Sequence, residues 1–275
     1  MSKQQAKQQW PELQKISIND LIDVLGAGVR DFRAAPGYGL LFAGLYVAAG
    51  WLLIALLFYF GLPYFAYPLA MGFALIAPFA GVGFYAVSEH LENNKSLSWP
   101  SVLASMKLAA GRDVRWMALV TGFALVIWMD IAAFLFFGLM GFNGFGPDVV
   151  EKLFTTPEGL AFVVLGNVSG ALIALSIFAI SVISFPMLYD RDVDFVTAMV
   201  TSVHLVTENP VTMIVWCAII GILTGISLLS AFVGLLVVLP VIGHASWHLY
   251  RRAVGDAAAT PDGSLSAEEA AREIG

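Results

Sequence analysis

The feature that most constrains this chain is an apolar run of 39 residues, Val211 to Leu249, closed by Arg251 and Arg252. As a single helix it would reach about 58 Å, whereas a bilayer core is about 30 Å thick. The run is too long for one span and fits two joined by a tight turn, which the sequence places near Ser227–Gly234. It follows a short amphipathic stretch, Phe195 to Val206, and a break at Glu208-Asn209-Pro210. The implied unit is an interfacial helix, a proline stop and a two-span hairpin.

The same unit can be read twice more. Ile18, Leu21, Ile22, Leu25, Val29 and Phe32 recur at helical spacing, with Asn19, Asp20, Asp23, Arg30 and Asp31 on the other face. This pattern predicts a helix lying in the membrane surface. Pro36-Gly37 ends it, and spans at about 38–60 and 65–87 follow. In the second unit Trp99, Val102, Leu103, Met106 and Ala110 make the stripe, Gly111-Arg112-Asp113 replaces the proline stop, and spans at about 116–139 and 160–188 flank a long loop, 140–159. The expected organisation is therefore an all-α polytopic membrane protein with six transmembrane helices in three tandem units, 16–87, 98–188 and 193–250, within a membrane domain of 16–252. A disordered tail, 1–15, precedes it and a flexible cytoplasmic tail, 253–275, follows. In that tail Ser266 and Glu269 form a capping box for a brief helix, 267–274. Each second span carries one proline within its cytoplasm-facing half, Pro78, Pro186 and Pro240, where a kink is expected.

Composition supports the class. The chain is 59% apolar and 12% charged, against about 45–50% and 25% for a soluble domain. The net charge of −6 carries no basic patch interleaved with aromatics, so nucleic acid is not an expected partner. The single cysteine, Cys217, cannot form an internal disulfide. Every Lys and Arg except Lys152 falls on one side of a six-span arrangement. The positive-inside rule makes that side cytoplasmic, with both termini there, in a bacterial inner membrane.

Few polar groups interrupt the spans. Asp130 and Asn167 are expected at similar depth in the second hairpin, as an intramembrane polar pair or as a proton or cation site. His244 and His248 share a helix face and suit two metal or haem ligands, with His90 as a further candidate; an ordinary interfacial belt of His, Trp, Tyr and Arg is the alternative. No cofactor is otherwise expected. Gly166 with Gly170, and Gly221 with Gly225, are GxxxG motifs expected to bring helices close. No phosphate-binding, nucleophile-elbow, zinc-protease or dinucleotide motif is present, and no enzyme activity is expected.

Three stretches carry a family resemblance: Ile18-Asn-Asp-Leu with Gly28-Val-Arg-Asp-Phe-Arg-Ala-Ala-Pro36, Phe84-Tyr-Ala-Val-Ser-Glu-His-Leu-Glu92, and Leu239-Pro-Val-Ile-Gly-His-Ala-Ser-Trp-His-Leu-Tyr-Arg251. Together they resemble the DUF2189 family of bacterial integral membrane proteins over about residues 16–252. Some members of that family are labelled putative cytochrome c oxidase subunits. Four histidines cannot supply the ligands of two haems and a copper, so the resemblance implies an accessory or scaffold role beside a respiratory complex. A small-solute or proton-coupled transporter and a haem- or metal-binding module are the other readings. The lipid bilayer and a membrane protein complex are the expected partners.

Overall fold

The computed structural model describes residues 13–62, 69, 77–110, 114–141 and 148–255. The described residues are helical throughout, with no strand among them. In chain order the helices are α1 (Ile18–Ala34), α2 (Pro36–Tyr59), α3 (Ala77–Glu92), α4 (Trp99–Ala110), α5 (Val114–Met140), α6 (Val149–Thr155), α7 (Pro157–Ser181), α8 (Ser184–Asp190), α9 (Phe195–Glu208), α10 (Pro210–Leu229) and α11 (Leu235–Val254). Four stretches among the described residues are long and apolar enough to cross a membrane: α2, α5, α7 continued by α8, and α10. The expected helix at 267–274 lies outside the described residues.

Local chemistry explains the boundaries. The three amphipathic helices begin with a side-chain cap: Ser17 and Asp20 reciprocally for α1, Ser98 and Ser101 reciprocally for α4, and Asp194 accepting from both the N–H and the hydroxyl of Thr197 for α9. In each pair a side-chain oxygen accepts from a backbone N–H that the first helical turn leaves free. One residue then joins an amphipathic helix to the next long helix. Ala35 (φ −137°, ψ 54°) links α1 to α2, and Asn209 (φ −127°, ψ 51°) links α9 to α10 in nearly the same conformation. Pro36 and Pro210, expected as stops, are also starts, since proline lacks only an N–H that the first turn cannot use.

The core is built around α11, which packs against α1, α2, α3, α8 and α10. Small residues set these crossings. A Cβ on Gly28 of α1 would lie 2.5 Å from the Val241 carbonyl oxygen and 2.9 Å from the Ala245 nitrogen of α11. A Cβ on Gly243 of α11 would collide with the Phe84 ring of α3. Trp216, Trp247, Tyr250, Phe84 and Phe185 fill the interior. One aromatic from each of α3, α8 and α11 meets at the centre: Tyr189 lies 5.7 Å from Trp247, and Tyr85 lies 6.3 Å from Tyr189. The α5–α7 hairpin is peripheral and displays Leu119, Phe123, Phe134, Val164 and Leu172 on its surface.

Several expectations are revised. The described end of the expected tail, 13–15, is tied down rather than disordered: the Gln14 N–H donates to the Ala253 carbonyl, next to the bond from the Ile16 N–H to Asn209 Oδ1. The buried face of α1 is Leu21, Val24, Ala27 and Gly28, while Ile18 and Ile22 are exposed, because α11 rather than the bilayer takes the small-residue side. The loop expected at 140–159 contains α6, and the following helix starts at Pro157, capped by Thr156. The span expected over 160–188, with a kink at Pro186, breaks at Val182–Ile183, where the ring of Pro186 would crowd the carbonyl of Val182 four residues earlier. The turn near 227–234 resolves to 230–234, with Ala231 and Phe232 at positive φ, and Trp51 Nε1–H of α2 donates to the Ala231 carbonyl at 2.7 Å.

Close approach at Gly28 yields a mutational contrast. Gly28→Val forces a branched side chain against α11 backbone and is expected to cost about 1–3 kcal/mol. Gly221→Ala adds a Cβ that meets nothing within 4 Å and is expected to be neutral or to gain up to about 1 kcal/mol. Thermal unfolding in one detergent checks both.

Candidate functional site

At one end of the bundle, three helices distant in sequence converge on a polar cluster. The Ser88 hydroxyl of α3 donates to Asp31 Oδ2 of α1 at 2.7 Å, and Ser88 Oγ lies 2.8 Å from His244 Nδ1 of α11. His248 Nε2, one turn further along α11, lies 2.8 Å from the same Asp31 oxygen. An ionised carboxylate only accepts, and a serine has one proton to give. Ser88 therefore accepts from the Nδ1–H of His244, which leaves His244 Nε2 as a bare lone pair. That nitrogen is buried and has no hydrogen-bond partner among the described residues. Burial pushes the Asp31 carboxyl upward, but the hydrogen bonds from His248 and Ser88 outweigh it and hold the group below its usual value of 3.8.

The direction of the chain decides its chemistry. In a nucleophilic triad the histidine takes the proton of the serine. Here the serine gives its proton to a carboxylate and receives from the histidine, and Ser88 and His244 are both fully buried. The cluster works as a lock between α1, α3 and α11.

A second polar layer surrounds it. Glu92 accepts from Trp247 Nε1–H at 2.9 Å and from Arg251 at 3.2 Å. Glu89 accepts from Lys95 and from the Tyr189 hydroxyl, both at 2.6 Å. Desolvation raises the Glu89 pKa, yet these two donors lower it overall. Tyr250 donates to Asp190 at 2.6 Å and accepts from Arg191 at 2.9 Å, while Arg252 pairs with Asp20.

The candidates read from the sequence are dispersed. His244 and His248 do share a face, but one nitrogen of each is engaged, His244 Nδ1 with Ser88 and His248 Nε2 with Asp31. His90 turns its Nδ1 to the Ala86 carbonyl of its own helix at 2.7 Å. Among the described residues no group of three or more His, Cys, Asp or Glu side chains is placed to hold a metal ion. Asp130 and Asn167 are both exposed, and the Asn167 amide donates back to Val163 of its own helix at 2.8 Å. Of the GxxxG glycines only Gly170 is packed, against Trp128; Cβ atoms on Gly166, Gly221 and Gly225 would meet nothing within 4 Å. Gly221 and Gly225 instead line a space between helices. Pro240 is buried inside α11 and Pro186 inside α8. Pro78 is the second described residue of α3. Asp31 and Ser88 were not singled out by the sequence; a serine one residue before Glu89-His90 gives no sign of a partner 57 positions away.

That space is a cavity of about 310 Å³ lined by α2, α3, α7, α10 and α11. Its wall is apolar, apart from the hydroxyl-bearing residues Tyr46, Tyr85, Ser181, Thr224 and Ser246, Cys217, and the indole of Trp216.

A family model, DUF2189, described as a predicted integral membrane protein, matches residues 66–190. The matched stretch is less than half of the chain. It runs into α8 and so contains Ser88, Glu89, His90 and Glu92, but neither Asp31 nor the α11 histidines. It is shorter than the resemblance over 16–252 implied. No curated protein and no solved structure matches the chain. The matched stretch thus supplies the serine at the centre of the cluster, and the flanking helices supply its acceptor and its donors.

The lock has a pH signature. The folded-state pKa of Asp31 lies below the unfolded one, so its contribution is complete above the unfolded value and fades as the pH falls through the folded one. The melting temperature of the wild type is expected to fall as the pH drops from about 5 to below the usual carboxylate value. Asp31→Asn should flatten that limb. Ser88→Ala leaves two buried groups short of a partner and is expected to cost about 1–3 kcal/mol at neutral pH.

Proposed function

We propose that this is a non-catalytic six-span protein of the bacterial inner membrane, with both termini cytoplasmic, serving as an accessory or scaffold component that docks a membrane protein partner on its α5–α7 hairpin. The observation that carries the docking reading is the exposure of Asp130 on that hairpin, amid exposed Phe123, Val126 and Phe134. An acid facing lipid near mid-span costs about 2.5–3.5 kcal/mol. A partner helix that supplies a hydrogen-bond donor removes this penalty. The respiratory oxidase named in the label of some family members is the partner class to test first. Asp130 does not line the central cavity, so transport through this acid has less support.

The six-span, three-unit reading is supported by the three side-chain caps, the matching connectors at Ala35 and Asn209, and the aromatic trio drawn from α3, α8 and α11. The distribution of Lys and Arg supports the orientation. Reporter fusions after Gly61 and Gly146 are expected to read periplasmic, and a fusion after Arg252 cytoplasmic. A periplasmic C-terminus would end this topology.

For the docking face, purification from native membranes with mild detergent is expected to recover a partner with the wild type and with Asp130→Asn, which keeps hydrogen-bonding capacity. Asp130→Leu should lose that partner and remain folded, since Asp130 supports no internal packing. Equal recovery with Asp130→Leu would sink the docking role of this face.

A further inference from the structure

The cavity between α2, α3, α7, α10 and α11 has the size of a small-molecule site, at the lower end of the usual range of about 300–1,000 Å³. It extends along α11 from Leu235 to Ser246, about 16 Å at helical rise. Its polar groups are unusual in one respect. Hydroxyls elsewhere in these helices turn back on their own backbone: Thr121 on Met117, Ser176 on Leu172, Ser184 on Ile180 and Ser227 on Leu223. This is the ordinary way to quiet a hydroxyl in an apolar helix. Ser181, Thr224 and Ser246, one each from α7, α10 and α11, line the cavity and have no hydrogen-bond partner among the described residues. Ser181 is more than nine-tenths buried. The indole N–H of Trp216, in the same wall, is buried and also without a partner.

Donors without acceptors in an apolar pocket define what would fill it. We propose that this cavity binds a membrane-soluble molecule with an elongated apolar body and carbonyl oxygens, which accept from the hydroxyls of Ser181, Thr224 and Ser246 and from the indole of Trp216. Two classes share this chemistry, the acyl esters of membrane lipids and the isoprenoid quinones. The bare walls at Gly221 and Gly225 give the ligand its room, so their lack of side chains is part of the site.

Cys217 lies in the same wall and is the only cysteine in the chain, which makes it a built-in reporter. The experiment follows alkylation of Cys217 by N-ethylmaleimide in purified full-length protein, in the presence of a decyl-chain dimethoxymethyl benzoquinone or of a short-chain phosphatidylglycerol. At a probe concentration about ten times its Kd, mass action predicts alkylation slowed about ten-fold. Protection by the benzoquinone alone assigns the quinone class, and protection by the phospholipid assigns the acyl-ester class. Gly225→Leu fills the space without a backbone clash and is expected to fold, with unchanged melting temperature, yet to lose protection. Trp216→Phe with Thr224→Val should weaken protection while leaving the cavity open. If neither probe slows labelling, or if Gly225→Leu is protected as well as the wild type, the proposal is wrong. Equal protection by empty detergent micelles would also overturn it, by showing that any alkyl chain suffices.

Discussion

A single carboxylate, Asp31, receives hydrogen bonds from α3 and α11 while sitting on α1, and the packing of this end of the molecule depends on it. Burying an ion is costly unless it is paired and fully hydrogen-bonded. Here Ser88 and His248 meet that requirement together, so removing either leaves a charged group short of donors. The geometry also orients His244, whose one available proton is used on Ser88. A hydrogen-bonded chain of this kind tolerates only one relative placement of its three helices.

Around that cluster, the polar groups and the small residues cooperate. Gly28 and Ala245 bring α1 and α11 to near contact, which is what allows Asp31 to reach over α11 to His248. Gly243 admits the Phe84 ring one turn before Ser88. The carboxylates of Glu89, Glu92 and Asp190 then close the periphery on Lys95, Trp247, Arg251 and Tyr250. Tight packing at this end contrasts with the loose middle of the bundle, where Gly221 and Gly225 face open space. One end is a rigid lock and the middle is a cavity.

Much of the architecture was legible. The 39-residue run could only be a hairpin, and its turn falls where length requires, at 230–234. Amphipathic spacing located α1, α4 and α9, and the prolines marked the joints to α2 and α10. What was not legible is partnership. Helical period gave Ile18 and Ile22 a shared face with Leu21, but only the presence of α11 decides that the Gly28 side is buried instead. The pair Asp130 and Asn167 was matched on depth alone, and depth says nothing about rotation about the helix axis. Short-range GxxxG spacing likewise marks where helices can approach, and at Gly221 and Gly225 none does. The spacing of His244 and His248 leaves metal ligation and an interfacial belt both open; Ser88 and Asp31, which engage them, lie more than 150 residues away in sequence.

The claim that one hydrogen-bonded chain couples α1 to α11 can be put to a double-mutant cycle. Asp31→Asn and His244→Phe are combined, and unfolding free energies are measured in one detergent at neutral pH. Groups in one network couple by about 0.5–3 kcal/mol. The account predicts a coupling in that range that disappears when the cycle is repeated with Ser88→Ala as the background. Additive effects of the two substitutions, or a coupling that survives without the Ser88 hydroxyl, would contradict it.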